Sequence, residues 1–126
     1  MRQRLVQPEG SALCGQACVA MAAGVSLDRA IEAVGHGSPR GTCTSEVVRA
    51  LRALGVPCAD RLRRVGRVKP VLPKRGVLAI HRPAGNKRSV HWHWMLTWDG
   101  EIYDPGGRWP EGYDGWRITS YLEITG

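Results

Sequence analysis

The sequence predicts an α+β fold, helices first and an antiparallel sheet after them. Three observations carry this. The length, 126 residues, suits one domain, because a chain of that size buries about two-thirds of its unfolded surface without a metal or disulfide staple. Apolar residues recur at helical spacing only in the first part, about residues 1–55. From about residue 76 to 124 the pattern changes to two-residue alternation punctuated by turn dipeptides. Residues 1–126 are therefore read as one undivided domain.

Ser11 is the expected N-cap of a first helix that runs to about Ala23, where Gly24 stops it. Its CGQACVAMAA segment is apolar nearly all round, Gln16 excepted, which marks a buried central helix. Leu27, Ala30, Ile31 and Val34 form the stripe of a second helix from Ser26 to about Val34, with Gly35 suited to its left-handed end. A third helix, Ser45 to Leu54, turns Val47, Val48, Leu51 and Leu54 inward and Arg49 and Arg52 outward, and Gly55 ends it. Residues 61–75 hold seven basic residues, two prolines and no acid, so they read as an exposed connector or edge strand. GVLAI at 76–80 reads as a buried strand. Residues 89–98 alternate strictly, with His91, His93, Met95 and Thr97 on one face. Trp92, Trp94, Leu96 and Trp98 occupy the other face, which is the expected core. Asp99-Gly100 is a two-residue hairpin turn, Glu101 to Asp104 return from it, and Pro105 stops the strand. Residues 116–124 are the expected last strand.

Apolar residues at 43% and charged residues at 23% lie near globular averages and argue against disorder. No Phe is present, so five Trp and three Tyr must supply the large aromatic packing. The longest apolar stretch, Ala17 to Leu27, falls short of the roughly 20 residues a bilayer span needs. The basic start is broken by Gln7, Pro8 and Glu9 before any apolar run forms, which argues against a secretory signal. The expectation is a soluble cytoplasmic protein with no membrane partner. Its four cysteines are then reduced thiols serving packing, metal binding or catalysis before disulfides. The net charge is +7, and fifteen of the eighteen basic residues are Arg. Such a balance fits a nucleic-acid partner or simply a solvated basic surface.

Cysteine chemistry needs a thiolate, and free N–H groups at a helix N-terminus favour one. Cys14 falls in the first turn of the first helix, and Gly15 after it is expected to leave room for a substrate backbone. Cys18, one turn deeper, reads as a small buried hydrophobe. A nucleophilic Cys needs a base, and the base needs an orienter. The two-residue turn pairs Trp98 with Glu101, Thr97 with Ile102, Leu96 with Tyr103 and Met95 with Asp104. Asp104 then shares the face of His93 as its diagonal neighbour, at roughly 7–8 Å between backbones. His91 lies two residues further away. The register therefore selects His93 as the base and Asp104 as its orienter.

Gln7, then Cys14-Gly15-Gln16-Ala17-Cys18-Val19-Ala20-Met21, His93-Trp94, Asp99-Gly100 and Tyr103-Asp104-Pro105 together resemble the papain-like cysteine peptidases. Within that family the chain is similar to peptidases that process double-glycine bacteriocin leaders. It is more similar still to small papain-like proteins of phage and prophage genomes. The resemblance spans the helices and the hairpin, most of the chain. It implies a papain-like fold with Cys14 on a central helix as nucleophile, His93 as general base and then acid, and Asp104 as orienter. It also implies an oxyanion hole made by the Gln7 side-chain amide and the Cys14 backbone N–H. The spacing from Gln7 to Cys14 is one residue longer than the family usually shows. No cofactor is implied, and the partner is a peptide or protein substrate.

Other readings compete. Cys14, Cys18, His91 and His93 offer four ligands to zinc, but no Cys-x-x-Cys knuckle exists and Asp104 has no part in such a site. Arg61, Arg63, Arg64 and Arg67 could track nucleic-acid phosphates, yet the tryptophans alternate onto a core face rather than an open stacking platform. A solvated basic face, able to steer an acidic protein substrate, is the preferred account. Papain-like folds also host deamidases and acyltransferases, because the Cys thioester is common to all of them. With no ABC-transporter domain following, cleavage coupled to export is not the expected arrangement.

Overall fold

The computed structural model describes residues 2–37, 40–82 and 91–126, with the backbone alone at His91. The helices are α1 (Cys14–Ala23), α2 (Leu27–Val34) and α3 (Thr44–Ala53). The strands are β1 (Arg63–Arg64), β2 (Arg75–Arg82), β3 (His91–Trp98), β4 (Glu101–Tyr103) and β5 (Arg117–Glu123). All pair antiparallel in the order β1-β5-β2-β3-β4, which makes the class α+β. The short basic strand β1 lies at one edge, as the composition of residues 61–75 suggests. Ser89 and Val90, part of the expected third strand, lie outside the described residues. Among the described residues no helix is long and apolar enough to cross a membrane.

α1 packs against α2, α3 and β3. Nine of its ten residues are buried, as expected for a helix apolar all round. The start differs from expectation. Ser11 is not the N-cap: the cap position is Leu13, without a side-chain cap, and the helix opens on Cys14 itself. Pro8 to Ser11 close a turn instead, Ser11 N–H donating to the Pro8 carbonyl at 3.1 Å with Gly10 at a φ of 75°. Ser26 does cap α2, accepting from Arg29 N–H at 3.1 Å, and Gly24 and Gly35 end α1 and α2 in the left-handed region. α3 begins one residue before Ser45, because Glu46 reaches back to the Cys43 N–H at 3.0 Å and fixes Cys43 as the cap.

The hairpin has the expected register, Trp98↔Glu101, Thr97↔Ile102 and Leu96↔Tyr103. Asp99 at a φ of 51° and Gly100 at 89° supply the left-handed pair that a two-residue turn needs. Arg75 clamps the turn through both Asp99 carboxylate oxygens, at 2.9 and 3.1 Å. β4 ends at Tyr103, so the β4 side of β3 is free of β4 from Met95 back to His91.

Two apolar clusters sandwich the sheet. Trp94, Leu96, Trp98, Val77 and Leu122 meet the helices on one face. Leu78, Ile80 and Met95 meet Tyr113 on the other, with Trp109 and Trp116 packed around it. The alternation of β3 identifies the first face, but Trp92 departs from it: its ring is 40% exposed where a core residue is expected. It is seated on Gly41 and edge-on to Trp94, and it lines a cleft with Thr44 at the start of α3.

Candidate active site

The site is assembled where α1 begins and β3 loses its β4 neighbour. Cys14, 8% exposed, is the first residue of α1. With no side-chain cap, the first N–H groups of the helix are not consumed by a neighbouring hydroxyl or carboxylate. Gly15 does not serve the expected role. A Cβ there would lie 2.8 Å from the Thr42 Cβ, so its lack of a side chain admits Thr42 rather than a substrate. Behind it, fully buried Gln16 donates to the His36 carbonyl at 2.9 Å and accepts from the Thr42 hydroxyl at 2.9 Å. The Thr42 carbonyl in turn accepts from Trp94 Nε1 at 2.9 Å. The α2–α3 connection is thereby pinned both to the Cys14 helix and to the strand that carries His93.

His93 Nε2 meets Asp104 Oδ1 at 2.6 Å, with the two side chains 14% and 3% exposed. The Cys14 side chain lies close enough to the ring to raise its pKa, and with Nε2 turned to Asp104 the ring nitrogen left for a further partner is Nδ1. His93 thus stands between Cys14 and Asp104. Asp104 is held in turn by four further donors. Gly106 N–H donates to Oδ1 at 2.9 Å, and Arg108 N–H, Trp109 N–H and the Tyr113 hydroxyl donate to Oδ2 at 3.0, 3.1 and 2.8 Å. Tyr113 also stacks on the His93 ring, centroids 5.9 Å apart. A Cβ at Gly106 would sit 2.8 Å from the Tyr113 hydroxyl and 3.2 Å from both Asp104 oxygens, so only glycine fits.

These contacts set the charges. Burial pulls the His93 pKa down, but hydrogen bonds to Asp104 and Cys14 outweigh it and raise it to about 9. Burial pushes the Asp104 carboxyl up. Its bonds from His93, Arg108, Gly106 and Tyr113 overcome that and hold it well below the usual carboxylate range. Burial drives the Cys18 thiol well above its ordinary value, helped by the nearby charges of Cys14 and Asp104. Burial also raises Cys58, against the opposing effect of Arg52.

Gln7 lies beside the site, because its backbone N–H donates to the Pro105 carbonyl at 2.8 Å. It lines a cleft of ≈ 580 Å³ with Trp92, His93, Arg108, Tyr113 and Trp116. Its amide turns toward the Ser11 carbonyl at 2.8 Å and the Ser11 hydroxyl at 3.4 Å. All four residues singled out from the sequence, Gln7, Cys14, His93 and Asp104, therefore fall in one region. Tyr113 and Gly106 were not legible there. The Asp-Pro-Gly-Gly run read only as a strand end, although an acid followed by two glycines is also what a loop of backbone donors around a carboxylate requires.

Among the described residues no three His, Cys, Asp or Glu side chains gather to hold a metal. The His91 side chain, one of the four weighed for zinc, lies outside the described residues. No protein-family model and no curated protein sequence matches the chain.

Proposed function

We propose that this chain is a papain-like cysteine hydrolase, most simply a peptidase acting on a peptide or isopeptide bond. The observation that supports it is the position of His93 between Cys14 and a carboxylate with five donors. A cationic imidazole beside a helix-start thiol is the environment in which a thiolate persists. The Cys14 sulfur attacks a carbonyl presented from the cleft over His93, and the carbonyl π electrons move onto oxygen. The Cys14 N–H receives that oxyanion, and the Gln7 amide joins it by giving up its long 3.4 Å contact with the Ser11 hydroxyl. On collapse, His93 passes its Nδ1 proton to the departing amine and a Cys14 thioester remains. The neutral imidazole then takes a proton from water as that water attacks the thioester, and collapse releases the acid and restores the Cys14 thiolate beside the His93 imidazolium. An amine in place of water would make the same site an acyltransferase, and a side-chain amide as substrate a deamidase. Asp104 and Tyr113 hold the imidazole in place for proton transfer in both halves of the reaction, whichever acceptor resolves the thioester.

Limiting alkylation with iodoacetamide, read by mass spectrometry, tests the reading. Access alone favours Cys43, which is exposed, over buried Cys14. Faster labelling of Cys14 than of Cys18, Cys43 and Cys58, lost in His93→Ala, therefore reports chemistry and not exposure. Labelling led by Cys43, or insensitive to His93→Ala, would overturn it. In hydrolysis or reactivity, Asp104→Ala should fall between wild type and His93→Ala, and His91→Ala should retain most of the activity.

A further inference from the structure

Past Trp92 the described residues of the helix-side face of the sheet line further clefts. Trp92, His81 and Arg117 are register partners on β3, β2 and β5, so they form one row across three strands. Trp92 walls the cleft over His93 and also lines a second cleft of ≈ 230 Å³ with Cys43, Leu62, Ala79 and His81. Leu62 and His81 then pass into a third, of ≈ 590 Å³, lined by Arg64, Arg67 and Arg117 with the hydroxyl residues Thr119 and Ser120. Neither the second nor the third holds an acidic residue among those described. The arginine ion pairs among the described residues belong to Arg4, Arg29, Arg40, Arg61 and Arg75. Arg64, Arg67 and Arg117 are left without a carboxylate. The route begins at a fixed point, because the Trp92 ring lies so close on Gly41 that a Cβ there would be 3.1 Å from it.

We infer that the three clefts are one substrate groove, and that it selects an extended polypeptide carrying acidic side chains a few residues from the reacting carbonyl. This rests on the reading of Cys14 as nucleophile and names its substrate class. From β3 to β5 is two strand spacings, about 10 Å, and β1 adds about 5 Å more. An extended chain rising about 3.4 Å per residue covers that distance in roughly three to five residues. The carboxylates then meet Arg117 first and Arg64 and Arg67 beyond it. A polypeptide fits better than a nucleic acid, because the route starts at the proposed site for acyl chemistry and, among the described residues, Trp92 is the one exposed tryptophan or tyrosine ring, whereas single-strand binders stack successive bases on several.

The test uses the Cys14→Ala chain and a fluorescein-labelled hexaglutamate peptide, followed by anisotropy at low salt. Combined Arg64→Gln, Arg67→Gln and Arg117→Gln should weaken binding about tenfold, the sum of three exposed ion pairs. Arg29→Gln with Arg49→Gln, on the helices, should leave binding unchanged, and hexaglutamine should not bind. Equal losses in both sets of variants would overturn the groove. So would hexathymidylate binding more tightly than hexaglutamate, which would make the surface one for nucleic acid. Iodoacetamide labelling of Cys14, measured on the same arginine variants with the thiol intact, separates this proposal from the one beneath it. Selective labelling without preference for glutamate overturns the groove alone. Loss of selectivity in the unsubstituted chain overturns the reading of Cys14 while the peptide measurement still decides the cleft.

Discussion

His93 is pulled in two directions, and the result decides the pH behaviour of the site. Burial alone would make it a neutral imidazole, yet its bonds to Asp104 and Cys14 hold it charged to about pH 9. The folded value lies above the unfolded one of about 6.5. The stability contributed by the charged ring is therefore complete below about pH 6.5 and is lost as pH rises through about 9. Asp104 acts at the opposite end. Its folded pKa is depressed, so its contribution is present above about pH 3.9 and is lost as pH falls toward its folded value. An NMR titration of His93 should find a midpoint near 9, moved toward 6.5 in Asp104→Asn. In parallel, the urea midpoint advantage of wild type over His93→Gln should shrink between pH 6.5 and 9. A midpoint near 6.5 in wild type would show that the Asp104 carboxylate does not hold the ring charged.

The β3–β4 hairpin was the most legible element, because everything that fixes it is local. Asp99-Gly100 imposes the turn, the turn imposes the register, and the register carries Asp104 to the face of His93. Gly100 sits at a φ of 89° with open space around it, so Gly100→Val meets backbone strain and no clash. It should cost about 1–2 kcal/mol in chemical denaturation. It should also slow Cys14 alkylation, since the turn places the orienter. Unchanged reactivity at reduced stability would show that the loop after Asp104, not the turn, holds the carboxylate. The start of α1 was less legible. Ser11 has the composition of a cap, but its carbonyl is drawn to Gln7 and its N–H to Pro8, and both contacts depend on the preceding turn. Gly15 was misread for a related reason. The neighbour that needs its space, Thr42, comes from a loop far along the chain.

The sheet is covered on both faces, and only one cover announces itself in the sequence. One helix apolar nearly all round and two helical stripes predict the first. The second comes from residues 109–116, for which the sequence offers no periodicity, although Trp109, Tyr113 and Trp116 fill it. That loop has two duties, since Tyr113 packs on Met95, Leu78 and Ile80 and also binds Asp104. Fold stability and site geometry are therefore coupled through it. Trp116 meets Tyr113 edge-on at 5.4 Å, so Trp116→Ala should lower stability by about 2–3 kcal/mol, less than the loss of a fully buried Trp. It should also shift the His93 titration through a looser Tyr113. A loss of stability with an unmoved titration would show the two duties to be independent.

The span between partners differs sharply within the proposed triad. His93 and Asp104 are 11 residues apart, whereas Cys14 reaches His93 only across most of the chain. Closing a short loop costs less entropy than closing a long one, and local pairings form sooner. The imidazole and carboxylate can meet as soon as the hairpin zips. The sulfur joins them only when α1 has docked on β3 and the α2–α3 connection has been pinned by Gln16 and Trp94. Until that last event the thiol is an ordinary cysteine. On the proposed reading, a nascent or partly unfolded copy of this chain would carry its base fully assembled and still be inert. During refolding, enhanced reactivity at Cys14 should emerge with the slowest recovery of tryptophan burial, making the nucleophile its own indicator that the chain is complete.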